Sequence, residues 1–493
     1  MVYLPPLIQV SCNTGKIMTN PNETTISEVP PITDKLVLQR VAVNVNESGI
    51  SQAAREVVQI LQKAGHEAYL VGGCIRDLLI DILPKDFDVA TSAEPEVVKE
   101  LFRRCRLIGR RFRLAHVFIK GELIEVATFR KNSIQAPNME HEPKNKPTLD
   151  KPTFESSSPE NSKSDQISPK ETIADKTIAD KIESKVHTSS MGILINDNVF
   201  GNLEEDIIRR DFTINALYFD PSKGEVIDGV NALNDLKNKQ INMIGDPESR
   251  FREDPVRILR ALRFAAKLNF EIAPDTKAAI PKLAPLLKEI PTARLFEEFQ
   301  KLFICGHSQR SFEQLLKWDI LKYLLPQTNE YLDQPQFVKM IELALENTSR
   351  RIMEGKTVTP SFLLAIFLWA PVRAWQMYWI DKGMPRMLAL HRSVQQVTFI
   401  QAKSTALPRR FTTPMQDIFE LQERLCRATR KNSLKTLAHR RFRAAFDFLV
   451  IRENAQDLEK GVGQWWLQFQ TCNEEARQDM ISCLRTGQAR RRK

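Results

Sequence analysis

The sequence predicts an α+β protein, with an N-terminal head of helices around a mixed sheet and an all-helical body behind it. Three observations carry that prediction. Short apolar runs bounded by turn residues alternate with helical spacing between residues 51 and 228. From about Pro247 onward, apolar residues recur three and four apart almost throughout. Residues 131–190 shift sharply toward Pro, Ser, Lys, Glu and Asp, with Phe154 their only aromatic. Such a stretch cannot bury enough surface to offset chain entropy, so it reads as a disordered insertion within the head.

Residues 1–50 show no convincing period and read as a poorly ordered extension. In SQAAREVVQILQKA (51–64), Ala54, Val57, Ile60 and Leu61 fall at helical spacing behind Ser51, a suitable N-cap. His66 to Val71 is a short strand ending at Gly72-Gly73, and a helix over Ile75 to Ile80 follows. After a turn at Leu83-Pro84, Asp86 to Thr91 reads as a strand and Pro95 to Phe102 as a helix. His116 to Ile119 and Leu123 to Phe129 read as strands paired around Lys120-Gly121. Beyond the insertion, which contains a TIADK repeat, strand pattern resumes at Phe212 to Phe219 and Glu225 to Asp228. Helices are expected over 254–268, 291–304, 309–323, 335–347, 360–369 and 416–429. The expected divisions are an extension 1–50, a head 51–245 interrupted at 131–190, neck helices 246–330, a body 331–480 and a basic tail 481–493.

Composition narrows the class. The chain has 493 residues, too many for one ordinary core, with 71 Lys plus Arg against 61 Asp plus Glu for a net charge of +10. That balance suits a polyanionic partner without naming one. The seven Cys are scattered with no CxxC pair, which disfavours a disulfide framework and a zinc ribbon. The longest apolar run, Phe362 to Ala370, is about half of what a membrane span needs. MVYLPPLIQVSC lacks a basic start and a sustained apolar stretch, so no signal peptide is expected and a cytoplasmic setting fits.

Four groups of residues carry chemistry. Gly72-Gly73 at a strand-to-helix turn lets a ligand approach the backbone closely, and the N–H groups of the helix start favour a phosphate. In Asp86-Phe87-Asp88, strand alternation would put both carboxylates on one face and Phe87 in the core. Two such carboxylates repel unless a cation sits between them, and Mg²⁺ prefers oxygen ligands together with substrate phosphates. Glu125 and Asp211 are the two candidates for a third carboxylate. Arg209 and Arg210 are suited to hold triphosphate oxygens. Finally, Asp254 caps a helix whose first turn holds Pro255. Asp254 and Arg257 stand three apart, so acceptor and donors together could meet a base edge.

LVGGCIRD (70–77), DFDVAT (86–91), EDIIRRDFTINAL (205–217), IDGVNALNDL (227–236) and REDPVRILRALRFAAKL (252–268) resemble, in order, the motifs of the class II polynucleotide nucleotidyltransferases. That family comprises CCA-adding tRNA nucleotidyltransferases and bacterial poly(A) polymerases. RLIGRRFRLAHVFI (106–119), ALPRRFTTPMQDIFELQERL (406–425), RRFRAAFDFLVIRE (440–453) and the arginine-rich end are similar to the poly(A) polymerase branch. The resemblance implies a polymerase-β-type head, nucleotide recognition by the neck helices and RNA binding by the body. It implies Asp86 and Asp88 as ligands of two Mg²⁺ ions, an essential Asp211, and Glu125 as the other candidate for the third carboxylate. Gly72, Gly73, Arg76 and Asp77 would contact triphosphate and ribose, and Asp254 and Arg257 would read the base. The activity implied is template-independent addition of AMP from ATP to RNA 3′ ends, with RNA-decay machinery as an associated partner. Arg409, Arg410, Arg440, Arg441, Arg443 and the end 490–493 are candidates for an RNA track. The long insertion and extended N-terminus depart from the family core. A CCA-adding enzyme is the alternative within the family. An RNA-binding protein with a lost catalytic site is opposed by the presence of Asp86, Asp88 and Asp211. No His-Asp pair supports an appended phosphohydrolase, and His439 is followed by Arg.

Overall fold

The computed structural model describes residues 36–43, 49–109, 113–131 and 199–484. Of the segment read as insertion only residue 131 is described, and of the segment read as basic tail residues 485–493 lie outside the described residues.

The head begins with β1 (Gln39–Ala42), α1 (Gln52–Lys63), β2 (Ala68–Val71), α2 (Gly73–Leu79), β3 (Asp88–Thr91) and α3 (Pro95–Leu101). It continues through β4 (Cys105–Ile108), β5 (Leu114–Ile119), β6 (Glu122–Thr128), α4 (Leu203–Ile208), β7 (Tyr218–Asp220), β8 (Glu225–Asp228) and α5 (Ala232–Lys237). These strands form one eight-stranded sheet in the order β1-β8-β7-β2-β3-β6-β5-β4. A parallel pair, β9 (Gln240–Ile241) with β10 (Glu271–Ile272), ties the head to the helices behind it. Then come α6 (Pro247–Glu253), α7 (Val256–Leu268), α8 (Pro274–Leu283), α9 (Thr292–Phe303) and α10 (Ser308–Lys317). Helices continue to Glu474–Ser482.

Local chemistry explains many boundaries. The Ser51 side chain accepts from the N–H groups of Ala53 and Ala54, so α1 starts where its cap stands. Lys120 and Gly121 both take positive φ, the pairing that a tight hairpin between β5 and β6 requires.

Three expectations are corrected. Residues 39–42 are not loose: β1 adds antiparallel to β8, with Gln39 opposite Asp228. Its sequence QRVA lacks alternation because it is a mostly exposed edge strand. The strand expected from Asp86 begins at Asp88, since β2 ends at Val71 opposite Asp88 and the chain beyond turns into α2. The strand expected from Phe212 is a 3₁₀ turn over Thr213–Asn215 before β7, because Asp211 accepts from the Phe212 N–H and the Asn215 amide.

The sheet has two unlike faces. One belongs to a large apolar cluster that runs from α1 and α2 through α7 and α9 to Phe367 in the body. The other carries Tyr69, Val71, Ala90 and Tyr218, covered by Leu203 and Ile207 of α4. A separate cluster around Phe442, Trp466 and Phe469 closes the C-terminal helices. Phe362 to Ala370 is core: Leu363 to Leu368 are fully buried. Among the described residues no helix is long and apolar enough to cross a membrane.

Candidate active site

The candidate site lies at the end of the smaller face. β3 pairs parallel with β6, placing Asp88 directly beside Glu125, so their side chains project from one face. That is the face of Val71 and Tyr218. Asp86 lies in the approach to β3, with Phe87 buried between two exposed Asp residues, so the alternation survives although the strand starts later. Asp88 is open to water yet hemmed in by protein. Desolvation, then Glu125, push its carboxyl up to about 6, Arg210 offsets part of this, and Asp86 adds to the rise. Glu125 also lies 3.5 Å from His116 Nε2.

At Gly72 the chain turns from β2 into α2 with φ of 79°, which favours glycine. Its N–H donates to the Leu217 carbonyl at 3.0 Å, and a Cβ there would stand 3.5 Å from Arg210 Nη1. The turn, Arg210 and Asp88 are thus neighbours.

Arg209 and Arg210 do not project freely. Arg209 Nε donates to Asp206 Oδ1 at 2.7 Å, and Arg210 Nη2 to Asp206 Oδ2 at 3.0 Å. Arg210 Nε also donates to Tyr218 Oη at 2.7 Å, and the Tyr218 hydroxyl donates to Asp206. Burial alone would raise the Asp206 carboxyl, but Arg210 and Arg209 outweigh it and hold it below the usual range.

Asp211 is tied to partners other than the Asp88 group. Arg260 Nε donates to its Oδ2 at 2.6 Å, and Asn215 Nδ2 and the Phe212 N–H donate to Oδ1 at 3.1 and 2.9 Å. Burial pushes this carboxyl up, yet Arg260 and these donors bring it below the ordinary value. By position Glu125 is the carboxylate beside Asp88, whereas Asp211 is bound to Arg260 of α7. Arg76 and Asp77 are 2% and 6% exposed. Arg76 Nε donates to Asp77 and its Nη1 to Asn215 Oδ1, while Lys267 reaches Asp77 at 2.8 Å. They anchor α2 to α7 beneath the Gly-Gly turn.

Asp254 and Arg257 are likewise held by separate partners. Asp254, between α6 and α7, accepts from the Val256 N–H at 3.2 Å and from Arg294 of α9 at 2.5 Å. Arg257 Nη1 donates to Glu253 and to the Arg250 carbonyl. Arg250 in turn donates to the carbonyls of Arg209 and Arg210, joining this helix start to the site.

Sequence reasoning missed Asp206, Asn215, Arg250, Arg260, Lys267 and Arg294. Asp206 and Asn215 stand inside EDIIRRDFTINAL, so they were within reach. Arg257, Arg260, Arg263 and Lys267 form a stripe three to four apart on α7, a signal that also describes any solvated basic face. Arg294 left no local trace.

Among the described residues, no three His, Cys, Asp or Glu side chains converge closely enough to hold a metal ion by themselves. An all-oxygen set with only partly compensated charge at Asp88 nonetheless suits Mg²⁺, which commonly completes its shell with waters and substrate phosphates.

The chain matches known proteins over most of its length. Residues 68–242 match the poly A polymerase head domain family. Residues 269–332 match the probable RNA- and SrmB-binding site of polymerase A, and 382–493 its arginine-rich C-terminus. Poly(A) polymerase I of Salmonella typhimurium is 39% identical over 459 residues, covering 91% of this chain and 89% of that protein. The chain belongs to the poly(A) polymerase family. It is an enzyme of the nucleotidyltransferase class. Poly(A) polymerase I of Haemophilus influenzae is 36% identical over 91% of both chains. The CCA-adding enzyme of Lactobacillus helveticus is 37% identical over only 53% of this chain and 52% of its own. A solved tRNA-processing enzyme in an apo form has a TM-score of 0.53 at 21% identity, covering 91% of this chain and all of that one, which shows the shared fold.

Proposed function

We propose that this enzyme adds AMP from ATP to RNA 3′ ends without a template, releasing pyrophosphate. The observation that carries the mechanism is the register of Asp88 with Glu125 beside the Gly72 turn and Arg210. When bound at Asp86, Asp88 and Glu125, Mg²⁺ would lower the pKa of the attacking 3′-hydroxyl and offset charge on the departing pyrophosphate.

The protein's own groups orient the reactants. The Gly72-Gly73 backbone receives the triphosphate closely at the start of α2. Arg210, fixed by Asp206 and Tyr218, presents positive charge on the same side at no reorganisation cost. Arg209, similarly fixed, is a second phosphate donor. Asp211 acts at one remove, aligning Arg260 and Asn215, while Arg76 and Asp77 hold the turn in place. Asp254 and Arg257, steadied by Arg294 and Glu253, are positioned to read the base. No covalent enzyme intermediate is needed, and most of the acceleration comes from positioning and electrostatics. RNA binding by the body through Arg409, Arg410, Arg440, Arg441 and Arg443, a cytoplasmic setting and engagement of RNA-decay machinery are proposed from the resemblance.

The test offers each NTP singly, with Mg²⁺, to the protein on an unstructured RNA and on a tRNA lacking CCA. A long ladder on plain RNA with ATP alone is expected. A stop after two C and one A, confined to tRNA, would replace this reading with CCA addition.

A further inference from the structure

Two adjoining hollows, of about 560 and about 200 Å³, form a groove between the helices Pro335–Met353 and Phe442–Asn454. They share Asn347, Arg351, Arg443 and Asp447. Arg350, Lys356, Arg440 and Arg441 add four more cations along the same groove, against the carboxylates of Glu346, Glu354 and Asp447. The groove lies outside the 269–332 segment that matches the RNA-binding family.

One end carries unspent hydrogen-bonding capacity. Thr348 is 1% exposed and lines this end, and its hydroxyl has no hydrogen-bond partner among the described residues. The Nε of Arg441, also on the lining, is buried and equally unpartnered. Unpaired buried polar groups are costly, so two at one spot mark a place where a ligand atom completes the set. Arg351 has no carboxylate at salt-bridge distance among the described residues, and its charge acts more distantly on Glu354 and Asp447. Arg440 stands 3.6 Å from its nearest carboxylate, Asp417, and its side chain is 70% exposed. A buried hydroxyl donor lining the same hollow as Arg351, Arg440 and Arg441 suits a tetrahedral anion. The exposed Leu467 lines the other end and offers an apolar surface for sugar or base.

We infer that this groove is a single-stranded RNA site, holding a backbone phosphate at Thr348, Arg351, Arg440 and Arg441. The inference rests on the proposed action on RNA and deepens it. No residue of the candidate active site lines the groove, so it would engage nucleotides upstream of the 3′ end.

The experiment measures binding of fluorescein-labelled oligo(A) of 20 nucleotides and of 3 nucleotides to the full chain across a salt series. For Arg351→Ala with Arg440→Ala, the 20-mer Kd should rise about tenfold and the 3-mer Kd much less. The slope of log K against log salt should shrink by roughly 0.7, the single-strand increment for the one phosphate that is no longer neutralised. Thr348→Val should weaken the 20-mer a few-fold with its salt slope intact, and Thr348→Ser, which keeps the hydroxyl, should restore it. Parental affinity and slope in the double variant would overturn the inference. So would poly-glutamate displacing the 20-mer better than unlabelled oligo(A), which would assign the groove to an acidic protein. Failure of the parent chain to extend RNA with ATP would instead remove the reading on which the inference rests, and the two failures are separable.

Discussion

Asp88 and Asp206 share one end of the head, both close to Arg210, and their charges are handled in opposite ways. Asp206 is 1% exposed and is met by two guanidiniums and a phenol, so its carboxyl stays below the usual range. Asp88 is open to water, stands beside Glu125 and near Asp86, and rises to about 6. Burial acts in the same direction on both. The difference is that the fold supplies Asp206 with partners and leaves Asp88 among like charges. Acidic groups whose charge the protein settles internally are scaffold, and those it leaves unsettled are where a cationic ligand gains most.

Substitution at each carboxylate should separate the two roles. Asp88→Asn should lower kcat for adenylyl transfer at least about a thousandfold, the scale of removing a main electrostatic stabiliser of the transition state. Its Tm should hold or rise, since like-charge repulsion is relieved. A clear fall in Tm would mean that Asp88 belongs to the scaffold. Asp206→Asn should do the reverse in emphasis. Breaking a buried pair costs about 3–5 kcal/mol because the remaining charges are left unpaired. The readout is a Tm lower by roughly 10 °C. An unchanged Tm would dissolve the contrast.

Asp211 tests the boundary between the two classes. If it acts through Arg260, then Asp211→Asn and Arg260→Gln should each lower kcat roughly ten- to hundredfold. The double variant should be no worse than the poorer single one, giving a coupling on the order of 1–3 kcal/mol in the cycle. Additive losses would instead return Asp211 to the reacting atoms.

The smallest effect concerns a base among cations. Burial, then Arg310, Lys267 and Arg263, lower the His307 imidazole to about 4. Between about pH 6.5 and 4 the unfolded chain binds a proton that the folded chain refuses, so stability falls as pH drops through that window. The loss should be on the order of 2 kcal/mol near pH 4.5, and urea denaturation of His307→Gln across that range should show a flatter pH profile.

By itself, the sequence determined most of the parts. Ser51 as a cap, Gly72 at positive φ and Phe87 buried between two outward Asp residues are settled within a few residues, where turn and alternation rules act. The helical body followed from spacing, and the five ordered motifs carried the family. Tertiary structure alone decided how the charges pair. Asp77 meets Lys267 across 190 residues, Asp211 meets Arg260 across 49, and Asp254 meets Arg294 across 40. It also made β1 a strand, because β8 offered it an edge, and set Glu125 rather than Asp211 beside Asp88 through the β3–β6 register. Local rules prescribe which groups a segment can offer. Which charge neutralises which depends on segments distant in sequence packing together, and no short window of residues contains that information.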